Sequence, residues 1–191
     1  MVLPNAVLVP NALLPLHIFE PQYRAMLEWA LERERLFCVG LRMPGTEENM
    51  PANFFPIGGI GLVRACVGAE DGTSNLILQG LARVRFGELI EAEPFRMAAI
   101  REFPSHCPNL VEAEALGAKV VELCGHIHDQ GRSLPAALVQ KLRHLTNPEL
   151  IADIVTQTFL RDPIQQQRIM EEASVSDRMR LLIRYLKGTT D

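Results

Sequence analysis

Hydrophobic periodicity changes once along this chain. From Leu3 to about Pro104, short apolar runs ("AVLVP", "LFCVGLRM", "IGLVRACV", "NLILQG", "ARVRFGELI", "RMAAIREF") are separated by turn residues. Alternation dominates within them: Val63, Ala65 and Val67 share one side of the third run, and Leu76, Leu78 and Gly80 lie opposite Ile77 and Gln79 in the fourth. A period of two marks half-buried strands. Beyond Pro108 the apolar positions take helical spacing, beginning with Leu116, Val120, Leu123 and Ile127. Strand-period and helix-period text do not exchange roles, so the chain is expected to be α+β. A β-rich domain over residues 1–105, forming a sheet or partly closed barrel, precedes a helical bundle over residues 106–191.

Turn and cap residues sharpen this expectation. In "EDGTSN", Asp71 and Gly72 supply a hairpin turn between the third and fourth runs, because glycine accepts positive φ without a Cβ clash. In "LLPLHIFEPQYRAML", Pro15 marks a strand edge or end, and Glu20 followed by Pro21 starts a helix. Phe19 is expected to pack as the residue before the cap, Tyr23 to share the helical face of Leu27, Ala30 and Leu31, and Glu20 to pair with Arg24 at i, i+4. In the second half Asn109 caps a first helix that stops at Gly131. Ser133–Pro135, Asn147–Pro148 and Asp162–Pro163 open three more, and a fifth carries Val175, Met179, Leu182, Ile183 and Leu186.

A chain of 191 residues buries a real core without staples. Cys38, Cys66, Cys107 and Cys124 stand far apart with no C-x-x-C pair, which fits a reducing compartment. The apolar stretch from Ala6 to Ile18 is broken by Pro10, Asn11, Pro15 and His17, so neither a signal peptide nor a span of about 20 apolar residues is expected. The cytoplasm is the expected location. A net charge of −4, with basic clusters no longer than Arg83 and Arg85, argues against nucleic acid and acidic lipid as partners.

No P-loop, H-E-x-x-H or G-x-S-x-G motif occurs. "GGIG" at Gly58–Gly61 precedes a strand rather than a helix, and reads as close backbone approach. "CGHIH" puts Cys124 and His128 on one helical face with His126 turned away, at most two ligands where zinc takes three or four; two more would have to come from His106 and Cys107 before the same helix, and no metal and no cofactor is expected. Ser105, His106 and Cys107 are adjacent, which does not by itself present a nucleophile to a base. His17 reads as a core or rim histidine bonded to backbone. The connection from Arg42 to Gly59 is long and keeps Met43, Met50, Phe54 and Phe55 among polar residues. Such loops are binding loops or fold back on the sheet as core, and both readings stand for these residues.

The stretches "LPNAVLVPNALLPLHIFEPQYRAML", "IGLVRACV", "DGTSNLILQGLARVRF" and "NPELIADIVTQTFL…RIMEEASVSDRMRLLIRYL" resemble, in order and spacing, the N-terminal domain of the Lon family of ATP-dependent proteases. The resemblance implies a PUA-like pseudobarrel followed by a helical segment, and a role in recognising protein substrates. It implies no catalysis, since the family's ATPase module and Ser-Lys dyad lie after this region. Pro15, His17, Phe19, Glu20, Pro21, Tyr23 and Arg24, with Asp71 and Gly72, are then expected to be architectural. The leading expectation is a non-catalytic module that binds polypeptide segments or a partner protein through the β-rich surface and the 42–59 loop. An RNA-binding PUA-like protein and a small thiol- or metal-dependent hydrolase are the alternatives.

Overall fold

The computed structural model describes residues 1–46, 53–90, 93–129 and 136–188. The chain divides into two compact units, Met1–Pro104 and Ser105–Asp191. The first is built on β1 (Val2–Leu3), β2 (Leu13–Ile18), α1 (Pro21–Leu31), β3 (Leu36–Leu41), β4 (Ile57–Gly68), β5 (Ser74–Ile90) and β6 (Met97–Glu102). The second holds five helices: α2 (Leu110–Asp129), α3 (Ala136–Arg143), α4 (Pro148–Phe159), α5 (Pro163–Glu171) and α6 (Val175–Lys187). The fold class is α+β. No helix among the described residues is long and apolar enough to cross a membrane.

The sheet runs β1-β3-β4-β5-β2, with β6 also on β5. All pairings are antiparallel except β1 with β3. The fourth and fifth apolar runs, expected as separate strands, are one strand. β5 gives one edge to β4 and divides the other, with β2 on residues 74–79 and β6 on residues 84–90. β4 and β5 meet through the expected Asp71–Gly72 turn, where Gly72 takes φ +80° and the Ala69 N–H donates to the Thr73 carbonyl at 2.8 Å.

Two expectations about strands fail for identifiable reasons. "AVLVP" is buried but is not a strand: Val7, Leu8 and Val9 lie across the glycines of β4 and β5. Ala65 and Val67 do not continue the buried side of Val63, because a bulge between Val63 and Ala65 reverses the alternation. Val67 is therefore exposed, and Cys66 packs on the core with Leu8, Met26, Leu27, Val63, Leu76 and Leu78.

The helical unit closes over Val120, Cys124, Ile151, Val155, Phe159, Met179, Leu182 and Leu186. Asn109 accepts from the Glu112 N–H, Asn147 from the Glu149 and Leu150 N–H groups, and Asp162 from the Ile164 N–H. Ser174 caps α6 in the same way. Gly131, Ser133 and Pro135 lie outside the described residues. Burial gives the four thiols different fates. Cys124 is fully buried and pushed up to about 12, while Cys107 is exposed. Since the thiolate is the nucleophile, brief iodoacetamide treatment of the native protein should label Cys107 and spare Cys124. Peptide mass mapping showing equal labelling of the two would contradict this packing.

Candidate functional site

An apolar cleft of about 310 Å³ opens within the first unit. It lies at the lower end of the size range of small-ligand pockets, with room for a large apolar side chain or two. Helical spacing in α1 buries Met26, Leu27 and Ala30 and leaves Trp29, 39% exposed, at the cleft wall. Trp29 is held there from two sides: the Arg33 guanidinium lies 4.2 Å from its ring centroid and Phe95 meets it edge-on at 6.0 Å. Arg33 also donates to the Trp29 carbonyl at 3.0 Å. Across the cleft Phe54 and Phe86 meet edge to face at 5.1 Å, over Gly40 of β3. β6 contributes Met97, Ala98 and Ile100.

The described residues lining the cleft include no histidine and no carboxylate, and Arg96 is their one charged side chain. The lining thiol, Cys38, is pushed up by burial. The Met1 amino group donates to the Cys38 carbonyl at 2.9 Å and is lowered to about 6 by burial. A thiol that burial keeps protonated is a poor nucleophile. The cleft is suited to desolvating apolar groups.

Of the three described candidates in the long connection, one reaches this cleft. Phe54 lines it. Met43 and Phe55 lie outside its lining and fix the ends of the connection by backbone bonds, the Met43 N–H to the Asn53 carbonyl at 2.8 Å and the Phe55 N–H to the Leu41 carbonyl at 2.9 Å. Met50 lies outside the described residues. Trp29, Phe86, Phe95, Met97 and Ile100 were not expected at a site. The available signals were that Trp29 is the chain's single tryptophan, and that it follows two buried positions on an amphipathic helix.

The "LLPLHIFEPQYR" residues gather where β2 turns into α1, beside the β4–β5 turn. Pro15 sits on β2 opposite Ile77. His17 is exposed, contrary to the core or rim reading. Its Nδ1–H donates to the side chain of Asn75, not to backbone, at 3.0 Å, and its ring stacks on Phe19 at 5.9 Å. Phe19 is 59% exposed, so it does not pack beneath the cap as expected. The Glu20 carboxylate accepts from Gln22 at 3.0 Å in place of the expected Arg24 pairing. Arg24 instead lies against Gly72, where an added Cβ would stand 1.9 Å from its Nη2. Asp71 accepts from the Thr73 N–H and hydroxyl. Those bonds hold its carboxyl below the usual carboxylate range, with the nearby charges of His17 and Arg24 adding to the effect. Pro21 opens α1. The Tyr23 hydroxyl donates to the Val2 carbonyl at 3.0 Å and accepts from the Val2 N–H at 3.2 Å, tying β1 to α1.

The second unit's candidate chemistry is absorbed by structure. The Ser105 hydroxyl donates to the Glu149 carboxylate and accepts from Arg178, which ties it into a network with both side chains rather than to His106 or Cys107. His106 joins the chain before α6 by backbone bonds, its N–H to the Ala173 carbonyl and its carbonyl from the Val175 N–H, both 3.0 Å. Cys124 belongs to the core, and His126 points to solvent. Among the described residues no group of three or more His, Cys, Asp or Glu side chains is placed to hold a metal ion.

Comparison with known proteins agrees with this architecture. The family model of the ATP-dependent protease La (LON) substrate-binding domain matches residues 1–188. Lon protease 2 of Sorangium cellulosum is 26% identical over 184 residues, covering 94% of this chain and 23% of that protein. Lon protease of Chloroflexus aggregans is 30% identical over 161 residues, covering 82% of this chain and 19% of that protein. The chain thus spans about a quarter or less of the curated relatives it matches. The solved N-terminal domain of Mycobacterium avium complex Lon protease superposes with a TM-score of 0.79 at 18% identity, covering 98% of this chain and 96% of that one, which establishes the shared fold. The chain belongs to the ATP-dependent protease La (Lon) substrate-binding domain family.

Proposed function

We propose that this chain is a non-catalytic polypeptide-binding module of the cytoplasm. In this reading the β-rich unit takes apolar side chains of protein substrates, or of a partner protein, into the cleft between Trp29, Phe54 and Phe86. The observation that carries the reading is the cleft itself: aromatic and methionine side chains around a cavity of about 310 Å³, without a histidine or carboxylate among its described lining residues. The family's substrate-binding description supports it. Methionine and aromatic walls accommodate apolar groups of varied shape, as a recogniser of unfolded segments requires.

The test is binding of a fluorescently labelled, reduced and carboxymethylated protein to the wild type and to Phe54→Ser, with folding of the variant checked by circular dichroism. Losing one aromatic wall should weaken binding about tenfold. Because the contact is mainly apolar, raising salt to moderate ionic strength should change affinity little. Undiminished binding by the folded variant, or binding abolished by salt, would overturn the assignment.

A further inference from the structure

We propose that β6 receives the bound polypeptide as an added parallel strand, and that the segment it selects has the pattern apolar–any–apolar–acidic; this deepens the polypeptide-binding reading and rests on it. β6 pairs with β5 along one edge, and among the described residues no strand or backbone group pairs with the other. A free edge offers main-chain bonds to any extended segment, and the side chains flanking it supply the selection.

The two faces of β6 differ in character. Ala98 and Ile100 project toward the cleft, Ile100 directly opposite Phe86. Ala99 and Arg101 occupy the other face, where Arg101 stands directly opposite Arg85. Both arginines are exposed, and the cross-strand neighbours of Arg85 are Ile57 and Arg101, neither of them acidic. Arg85 and Arg83 approach the same ring, Phe103, at 5.0 and 4.9 Å. Like charges directly opposed across two strands are destabilising, and an opposite charge on the next strand is favourable.

An added strand alternates in step with β6. Residues aligned with Ala98 and Ile100 would face the cleft, and the residue aligned with Arg101 would face the arginine pair. An acidic residue there relieves the Arg85–Arg101 opposition. Glu102, at the strand's end, disfavours a second acid one position further on. Charge complementarity therefore favours an apolar–acidic segment of another protein over a basic one.

The experiment titrates the whole chain with a capped peptide of about eight residues containing Leu-Thr-Phe-Asp, read by the fluorescence of Trp29, the chain's single tryptophan. Replacing the peptide's Asp by Lys should weaken binding about fivefold to tenfold, and Arg101→Glu should reverse that preference, so that the Lys peptide binds the variant better. Backbone N-methylation on the edge-facing side should abolish binding. A peptide whose binding depends on Phe54 but ignores charge swap and N-methylation would overturn strand addition while leaving the cleft assignment standing. If neither this peptide nor the carboxymethylated protein binds, the polypeptide-binding reading falls as well. A dimer that dissociates on Arg101→Glu in sedimentation would give the edge to a second copy and overturn the proposal.

Discussion

Arg178→Met should cost the helical unit about 3–5 kcal/mol, the usual penalty for stranding the partner of a buried ion pair. The Arg178 side chain is 1% exposed, and its Nη1 lies 3.5 Å from Asp153 Oδ1, itself on a side chain 4% exposed. Its Nη2 reaches Glu149 Oε1 at 3.2 Å and also donates to the Ser105 hydroxyl. One guanidinium fork thus joins α6 to α4 and to the start of the unit. Removing it leaves the Asp153 carboxylate in a low-dielectric interior without the opposing guanidinium charge. Arg178→Lys should recover only part of the loss, because a single ammonium cannot reproduce the planar fork. The double variant Arg178→Met, Asp153→Leu should be more stable than Arg178→Met alone, since both buried charges are gone. Urea unfolding followed by far-UV circular dichroism measures all three. A change under about 0.5 kcal/mol in Arg178→Met, the range of ordinary surface substitutions, would contradict the network.

Gly80→Ala and Gly59→Ala should each destabilise the β-rich unit by about 3 kcal/mol or more, at or beyond the upper end of overpacking costs. A Cβ on Gly80 would stand 2.1 Å from the Val9 carbonyl oxygen and 2.8 Å from the Val9 carbonyl carbon. A Cβ on Gly59 would stand 2.1 Å from the Leu8 carbonyl oxygen. The obstruction in both cases is backbone, which cannot rotate aside as a side-chain tip can. It is backbone that the structure needs in place: Leu8 and Val9 are each 1% exposed, and the chain leaves them through bonds between Asn11 and Ala12 and Gly80, each 2.9 Å. Displacing this segment would uncover Leu8 and the start of β2 together. The urea midpoint of the β-rich unit, read by amide exchange of β4 and β5, checks both substitutions. Retention of the wild-type midpoint would show that the segment shifts without loss.

The strand-to-helix division of the chain was legible because period two and period 3.6 are set by backbone geometry alone. Caps were legible for the same reason: Asn109, Asn147 and Asp162 each sit one residue before a helix and accept its free N–H groups. What failed were inferences that depend on the partner rather than the element. The parity of β4 reverses at its bulge, which one strand's text does not announce. "AVLVP" has strand composition, but its backbone goes to the glycines of β4 and β5, not to a ladder. Glu20 and Arg24 have the spacing of a helical ion pair, yet Arg24 finds the Asp71–Gly72 turn, more than 40 residues away in sequence. The candidate site divided along the same line. Phe54 was visible as an apolar residue in a long polar connection. Trp29, Phe86, Phe95 and Ile100 became a site only when α1, β5, β6 and the segment between the last two were brought together.

The most direct measurement is a chemical-shift map of the isotopically labelled chain titrated with a permanently unfolded polypeptide. Binding in the cleft should move the Trp29 indole resonance and the Met97 and Ile100 methyl resonances together, in proportion to saturation. Resonances of Ile151, Met179 and Leu182 in the core of the second unit should stay in place. Shifts confined to the second unit, or saturable binding with the Trp29 and Ile100 signals unmoved, would contradict the account.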